Sequence, residues 1–507
     1  MFKKMGKILV FCLACSWGLG GNVFLAWGSD AKERSFAEKV ISLGHVPEGA
    51  EIIPPSLVVS PDAAHIAYVG KTKTGMLVSI DDSAGKVYSS IGKDTPIFSP
   101  QGEHTAFIAY RGKKALLVMD GQEGTPFGGI TGVKFSFDGK QLAYLAEENG
   151  KQFVVENGRK SSAYDALDQK EGVVFSPDSS RIAYGAARGR GWMMVVDGRE
   201  GTPFGELGAP LFSPDSVHLA YPAKKQDNWL VVRDGEEGKV YPYLAQLAFS
   251  PNSQHLAFAA YRGEKWVMVI DGREEKAHDA IGPAIYSPDS ARIAYAVRDG
   301  EKWRLYLDGK TGAAYDEIGM LAFSPDSART ALMAVKGGRG VMLIDGREGK
   351  VYDSVGAPVF SPDSQHIAYR ARQGGKWFVV RDGHEEPSAD EVHRPVFSAD
   401  STRLAYAVEN KGKMSMVLDG KGLAVYDAVG MPFFSPDSGH LVYLASEEGK
   451  WSIAVDGEVG KESFVGFLKG VPLIFDEPTK VHGLALRFPG PEFVRVEIEI
   501  LLRTVGL

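Results

Sequence analysis

The sequence predicts an all-β fold in which short four-stranded antiparallel sheets repeat along most of the chain. A motif of the form Phe-Ser-Pro-Asp-Ser, followed by a short apolar run, recurs eleven times, and from Ser176 to Ser435 successive copies lie 37 residues apart. Each interval has turn residues and alternating apolar positions but no helical periodicity. A fixed period of this length is typical of repeat architectures. The motif serines are Ser60, Ser99, Ser136, Ser176, Ser213, Ser250, Ser287, Ser324, Ser361, Ser398 and Ser435.

One repeat shows how the four strands follow from the residues. Pro210–Ser213 predicts strand A, the alternating segment His218–Tyr221 predicts strand B, and the aromatic and branched segment Trp229–Val232 predicts strand C. Lys239–Tyr241 predicts the start of strand D. A Pro-Asp-Ser turn separates strands A and B, and an Asp-Gly turn follows strand C.

Four antiparallel strands in about 37 residues describe one blade of a β-propeller. The repeat Phe-Ser-Pro-Asp-Ser-x-His/Arg-Ile/Leu-Ala-Tyr, followed by an aliphatic strand and Asp-Gly, resembles the WD40-like (PD40) repeat of the TolB-type β-propellers. The resemblance covers residues 56–502. It implies a propeller that binds a protein or peptide partner rather than one that catalyses a reaction.

The two ends of the repeat array predict ring closure. Residues 471–502 contain patterns that fit strands A, B and C of a twelfth blade, and Lys39–Gly44 repeats the pattern of a strand D. Pairing these segments would leave no open sheet edge. We therefore predict one large closed ring of about twelve blades over residues 38–502. Two six-bladed rings in tandem are the alternative, and an open solenoid is the third arrangement.

The N-terminus predicts export. Three lysines precede an apolar stretch from Ile8 to Trp27, so residues 1–28 read as a cleavable signal peptide, followed by a short polar tether over residues 29–37. The alternative is an uncleaved membrane anchor. Cys12 and Cys15, the only cysteines, lie in this segment. We expect a periplasmic or secreted chain, or an N-terminally membrane-anchored one, that meets the membrane only through this segment.

Residues that recur in every repeat are expected to be structural. Six tryptophans share one phase and are interpreted as packing between blades. A His or Arg that precedes strand B is interpreted as a turn lock, hydrogen-bonded to an aspartate such as Asp215 or Asp178, rather than as a metal ligand. The recurring Asp-Gly pairs are interpreted as hairpin turns rather than as a calcium array.

Function is expected where the copies differ, in the loops between strands B and C and between strand D and the next strand A. The alternative is that these are merely solvated loops. The candidate binding residues are Arg188, Arg190, Lys224, Lys225, Asp168, Lys170, Arg262 and Lys411. His384, Glu386 and His393 are weak metal candidates in a segment that the sequence favours as an exposed acidic loop. No cofactor is expected.

Composition and missing motifs bound the function. A net charge of −7 does not suggest a nucleic-acid surface, and no Gly-x-Ser-x-Gly nucleophile motif is present. We predict an exported, non-catalytic protein-binding or scaffolding propeller of the bacterial envelope, with an envelope protein or peptide as its partner. The alternative is a propeller enzyme, a glycan lyase or hydrolase with carboxylates at the ring axis.

Overall fold

The computed structural model describes residues 35–189, 191–487 and 491–501. These residues form twelve antiparallel sheets, each with strands in the order A, B, C and D, arranged as the blades of one closed ring. The prediction of a single twelve-bladed ring is therefore confirmed. Strands A and D form the two edges of each sheet; blades of a propeller surround a central channel, and we call the strand A side the inner edge and the strand D side the outer rim.

Strand A is divided into two short segments in nine of the twelve blades, and both segments pair with strand B. The A strands of blades 1 to 12 are, in order, Glu51–Ile52 with Val58–Val59, Ser90–Ile91 with Ile97–Phe98, Gly129–Phe135, Ala166–Leu167 with Val173–Phe175, Glu206–Leu207 with Leu211–Phe212, Tyr243–Phe249, Ala280–Ile281 with Ile285–Tyr286, Glu317–Phe323, Ser354–Val355 with Val359–Phe360, Glu391–Val392 with Val396–Phe397, Ala428–Val429 with Phe433–Phe434, and Gly466–Phe467 with Ile474–Glu477.

Strands B and C form the centre of each blade. The B strands are Ile66–Lys71, Thr105–Arg111, Leu142–Glu148, Ile182–Arg188, Leu219–Lys225, Leu256–Arg262, Ile293–Asp299, Thr330–Lys336, Ile367–Gln373, Leu404–Asn410, Leu441–Glu447 and Lys480–Arg487. The C strands are Met76–Ile80, Lys114–Met119, Lys151–Glu156, Gly191–Val196, Asn228–Arg233, Lys265–Ile270, Lys302–Leu307, Arg339–Ile344, Lys376–Arg381, Lys413–Leu418, Lys450–Val455 and Glu492–Ile500.

Strand D is short in most blades. The D strands are Ser83–Ala84, Gln122–Glu123, Arg159–Lys160, Arg199–Glu200, Glu236–Glu237, Arg273–Glu274, Lys310–Tyr315, Arg347–Tyr352, His384–Glu385, Lys421–Tyr426, Glu458–Val459 and, in blade 12, Phe36–His45. The one short 3-10 helix of the described residues is Pro54–Ser56. No helix in that part of the chain has the length and apolar character needed to cross a membrane.

The turns are tighter than the sequence suggested. Asp234 and Gly235 have φ angles of 53° and 87° and form a two-residue hairpin that places Glu236 opposite Arg233. Strand D of blade 5 therefore starts at Glu236, not at Lys239. The turn between strands B and C also has only two residues, because Lys225 pairs directly with Asn228.

The apolar core lies between neighbouring blades. One cluster combines Leu145 and Val154 of blade 3 with Ile182 and Tyr184 of blade 4, and similar clusters follow around the ring. Strands B and C supply most of these residues because both faces of each central strand pack against another sheet. Burial of these faces explains the apolar Ile/Leu-Ala-Tyr segment that recurs in the sequence.

The ring closes through a composite blade. Phe36–His45 pairs antiparallel with the C-terminal strand Glu492–Ile500, and Phe36 is buried in the core of blade 12. This strand starts three residues before the predicted Lys39, so the end of the predicted tether belongs to the ring. His482 of blade 12 lies 2.8 Å from the Asp62 carbonyl oxygen of blade 1. The predicted signal peptide, residues 1–28, lies outside the described residues.

Candidate functional site

The serine that opens each repeat turn is held by its own turn. In blade 4, the Ser176 hydroxyl donates to the Asp178 carboxylate at 2.7 Å and accepts from the Arg181 amide at 2.9 Å. Ser176 is fully buried. We call this end of the ring, which carries these turns and the Asp-Gly turns, the A–B face. Its serines are satisfied within the fold and are not free to bind a ligand.

The second serine of the turn joins neighbouring blades. Ser216 has a φ of 67°, and its hydroxyl accepts from the backbone amide of Asp178 in the preceding blade at 2.9 Å. We call this contact the serine clasp. It recurs at eight successive junctions, from blades 3 and 4 to blades 10 and 11. The motif therefore stabilises the ring itself.

The predicted turn lock exists, but its partner differs from the one predicted. His218 Nδ1 lies 2.7 Å from the carboxylate of Asp234 in the Asp-Gly turn, not of Asp215. The other Asp234 oxygen accepts from the Leu219 amide at 2.9 Å. Where arginine replaces histidine, as at Arg181, it pairs with the corresponding aspartate at 3.0 Å and also reaches the next blade. The Asp-Gly carboxylates are thus engaged in hydrogen bonds.

A second inter-blade contact lies near the outer rim. The Tyr164 hydroxyl of blade 3 donates to Glu200 of blade 4 at 3.2 Å, and Arg188 pairs with the same carboxylate at 2.8 Å. We call such a Tyr, Glu and Arg or Lys set the rim triad. It recurs at several junctions. The equivalent sets are Tyr88 with Glu123 and Arg111, Tyr241 with Glu274 and Arg262, and Tyr315 with Glu348 and Lys336.

Burial and the acceptor carboxylate keep these tyrosines neutral. Burial, reinforced by the hydrogen bond to Glu123, raises the pKa of Tyr88 to about 12.

The three members of the rim triad also change together between blades. At the junction of blades 2 and 3, Phe127 replaces the tyrosine, Lys160 replaces the glutamate and Glu148 replaces the basic residue, and Lys160 pairs with Glu148 at 2.6 Å. Such exchange within one chain indicates a structural role.

The other end of the ring, which carries the B–C turns and the connections between blades, is called the B–C face. A third inter-blade contact lies there. Asp390 pairs with Lys376 of blade 9 and accepts from the backbone amide of Lys411 in the B–C turn of blade 10 at 2.7 Å. Asp165 makes the same contacts with Lys151 and Gly189. The backbone of these turns is therefore held in place, while their side chains point outward.

The structure places the predicted binding residues in several different situations. Arg188, Lys225 and Arg262 pair with Glu200, Glu237 and Glu274. Lys224 lies at the end of strand B, 5.8 Å from the Trp229 ring centroid. Asp168 and Lys170 lie in the turn that interrupts strand A of blade 4, where the Asp168 carboxylate accepts from the Lys170 amide at 2.9 Å. The Lys411 side chain is exposed. Arg190 lies outside the described residues.

These candidates do not form one patch. Blades 4 to 6 bring Arg188, Lys224, Lys225 and Arg262 to neighbouring positions, whereas Lys411 belongs to blade 10, on the opposite side of the ring. The sequence predicts the segment around Asp168 and Lys170 as a loop ahead of strand A of blade 4. The segment instead interrupts strand A, because the strand segments on both sides of it pair with the same strand B.

The weak metal candidates are separated by the strand order. His384 begins strand D of blade 9, and His393 lies between the two strand A segments of blade 10. Among residues 35–189, 191–487 and 491–501, no three His, Cys, Asp or Glu side chains converge as metal ligands would. The tryptophans that share one phase begin strand C, and Trp266 and Trp377 pack against core clusters.

An aromatic group on the B–C face was not predicted. Tyr243, Tyr261 and Trp266 lie side by side on strands A, B and C of blade 6, with ring centroids 6.0 Å and 5.4 Å apart. Tyr243 is 62% exposed. The position of Tyr243 holds small or acidic residues in other blades, such as Glu206 in blade 5 and Ala280 in blade 7. Comparison of the repeats position by position would have identified this aromatic residue.

Comparisons with known proteins find only distant structural similarities. No family model matches the sequence, and no curated protein matches it. Similar solved structures include a eukaryotic initiation factor (14% identity, 65% of this chain and 96% of that chain, TM-score 0.35). They also include the Dos1 propeller (11%, 60% and 95%, TM-score 0.27) and TolB from Acinetobacter baumannii (13%, 59% and 80%, TM-score 0.23). No family model therefore supports the assignment of this chain to the PD40 family.

Proposed function

We propose that this chain is a non-catalytic β-propeller that binds a protein or peptide partner in the bacterial envelope. The observation that carries the proposal is the aromatic group Tyr243, Tyr261 and Trp266 on the B–C face. Large exposed aromatic side chains on a rigid sheet are typical of the residues that dominate protein interfaces. Arg262 and Lys265 lie directly beside the group but are already paired with Glu274 and Asp279, so the aromatic rings carry the recognition.

The recurring contacts explain why recognition belongs to residues that differ between blades. The motif serines and aspartates, the rim triads and the lysine–aspartate pairs already have partners within the ring. A partner that contacted these groups would have to replace existing hydrogen bonds, which gives little net free energy. Tyr243 has no such role and exposes most of its ring. The propeller fold supports the proposal by presenting this group on a broad and rigid face.

Export rests on the sequence of the first 28 residues. Lysines 3, 4 and 7 and the apolar stretch from Ile8 to Trp27 have the charge and length of a signal peptide. The chain would then act in the periplasm or outside the cell, or remain anchored by this segment. Fractionation of a diderm host that expresses the full chain tests this. Recovery of the protein only in the cytosol would contradict export.

The binding proposal is tested by a pair of matched variants. Tyr243 and Phe137 are similarly exposed, 62% and 60%, but Tyr243 lies on the B–C face and Phe137 lies in an A–B turn on the opposite face. The full chain, Tyr243→Ser and Phe137→Ser would each be crosslinked in the host and recovered proteins quantified by mass spectrometry. We expect Tyr243→Ser to reduce capture of one or two envelope proteins by about tenfold or more.

Phe137→Ser should capture the same proteins within about twofold, since it alters the other face by a similar apolar area. Equal capture by Tyr243→Ser and the unmodified chain would refute recognition by this face. Retention of sugars or oligosaccharides with no enriched protein would refute the proposal and favour a glycan-active site at the inner edge of the ring.

A further inference from the structure

The junction between blades 10 and 11 departs from the pattern of the others. A cleft of about 440 Å³ opens there, bordered by Tyr426, Lys450, Ser452, Val459 and Ser463. We call it the blade 10–11 cleft. The segment after strand D of blade 11 has one more residue than its equivalents: four positions separate Gly460 from Phe464, against three in blade 4. Val459 and the longer segment, which begins at Gly460, both border this space.

Tyr426 is a rim tyrosine that has lost its acceptor. At five other junctions the equivalent hydroxyl donates to a glutamate of the next blade, at 2.9 to 3.2 Å. In blade 11 that glutamate is replaced by Val459. Tyr426 is only 6% exposed, and its hydroxyl is buried without a hydrogen-bond partner among the described residues. A buried hydroxyl without an acceptor is unfavourable unless a group in the cleft accepts its hydrogen bond.

Lys450, which also borders the cleft, has lost the partner that its equivalents have on the side of the following blade. The lysine that begins strand C elsewhere pairs with the aspartate after the rim tyrosine, as Lys413 does with Asp427 and Lys376 with Asp390. For Lys450 that position holds Val465. Lys450 makes no ion pair with any residue of the described part of the chain.

The cleft thus places a buried hydroxyl that lacks an acceptor next to a lysine that has no ion pair within the described residues. Ser452, Ser463 and Lys461 also border it, as do the acidic residues Glu447 and Glu448. Glu447, which stands where blades 2, 4, 5, 6 and 8 have Arg or Lys, lies opposite Lys450 in the register of strands B and C. The group that completes this arrangement is an anionic acceptor with the shape of the missing glutamate side chain.

We propose that the blade 10–11 cleft binds a carboxylate group, seated where a glutamate carboxylate lies at the other junctions and held by Tyr426 and Lys450. The carboxylate would belong either to an acidic side chain of a bound peptide or to a small organic acid. This inference stands independently of the proposed partner face, since Tyr243 belongs to blade 6.

The test uses the purified full chain and three probes: glutarate, the peptide Ac-Ala-Glu-Ala-NH2 and its neutral counterpart Ac-Ala-Gln-Ala-NH2. Binding is measured by ligand-observed NMR titration. We expect saturable binding of a carboxylate probe and at least about tenfold weaker binding of the Gln peptide, because a hydrogen bond to a charged group is lost. Tighter binding of the Glu peptide than of glutarate would assign the site to a protein side chain, and the reverse order to a small acid.

Two variants and a control make the test decisive. Tyr426→Phe should weaken binding about tenfold, whereas Tyr352→Phe, at a junction where Glu385 already accepts, should leave it unchanged. Val459→Glu should abolish binding and raise the thermal unfolding midpoint, since the chain then supplies its own carboxylate. No saturable binding, equal binding by Tyr426→Phe, or a lower midpoint for Val459→Glu would each overturn the proposal. None of these results depends on Tyr243.

Discussion

The serine clasp is the contact whose removal gives the clearest expected effect. In Ser216→Ala, the backbone amide of Asp178 loses the acceptor that it has at 2.9 Å. Ser216 is 3% exposed, so water does not replace the hydroxyl freely. The net loss for a hydrogen bond of this kind, with a donor left unpaired, is about 1–2 kcal/mol. That loss corresponds to a roughly 5- to 30-fold increase in opening of the junction between blades 4 and 5.

Ser216→Gly is the matched comparison. It removes the same hydroxyl but relieves the backbone strain of a non-glycine residue at a φ of 67°, worth about 1 kcal/mol. Gly102 and Gly139 already occupy the equivalent position in blades 2 and 3, with φ angles of 83° and 72°. We therefore expect the glycine variant to lie close to the unmodified chain and the alanine variant to be the less stable of the two.

Hydrogen exchange followed by mass spectrometry measures this effect blade by blade. Peptides of blades 4 and 5 should exchange faster in Ser216→Ala, while peptides of blade 9 serve as the internal control. Unchanged exchange in blades 4 and 5 would refute the view that the second serine joins blades. A uniform increase over all twelve blades would refute the view that the clasp acts locally.

Three further predictions follow from the same structure. Tyr164→Phe and Glu200→Gln should together lower the free energy of unfolding by less than the sum of their separate effects. We expect a coupling of about 0.5–1.5 kcal/mol in a double-mutant unfolding cycle. Strictly additive effects would contradict the rim triad. Hydrogen bonds, the largest of them from the Ser398 hydroxyl, lower the pKa of Asp400 to about 2. The Asp400 carboxylate should therefore stabilise the fold fully above about pH 4 and lose this effect as the pH falls towards 2. Ser398→Ala should move this loss of stability to higher pH in thermal melts, and an unchanged pH profile would refute the assignment. Deletion of residues 35–45 should open the ring and expand the particle in small-angle scattering, whereas an unchanged radius would contradict closure by the composite blade.

The sequence was sufficient for the architecture because the repeat encodes it redundantly. The spacing of the motif serines, the turn residues and the strand pattern at Lys39–Gly44 indicated a closed ring, and the twelve sheets confirm the blade count. What the sequence could not give was the length of the turns. Lys224 and Lys225 were interpreted as part of a polar loop, because a charged strand end and a loop have the same composition.

Long-range partners were the harder problem. The sequence predicts an aspartate of the A–B turn, such as Asp215, as the partner of the His or Arg before strand B. The C–D hairpin instead returns Asp234, 16 residues after His218, to the same end of the sheet. The rim triad was missed because its members come from two blades. A signal existed in the chain: at Phe127, Lys160 and Glu148 the three positions change together. Position-by-position comparison of the repeats would have suggested the contact.

The most direct test of recognition by the B–C face is hydrogen exchange of the full chain, free and bound to a protein recovered in the crosslinking experiment. We expect slower exchange on binding at the B–C ends of blades 5 to 7, around Tyr243, Tyr261 and Trp266, with blade 1 and the A–B turns unchanged. Protection confined to the A–B turns, or to the inner strands alone, would show that residues departing from the repeat on the B–C face do not select the partner.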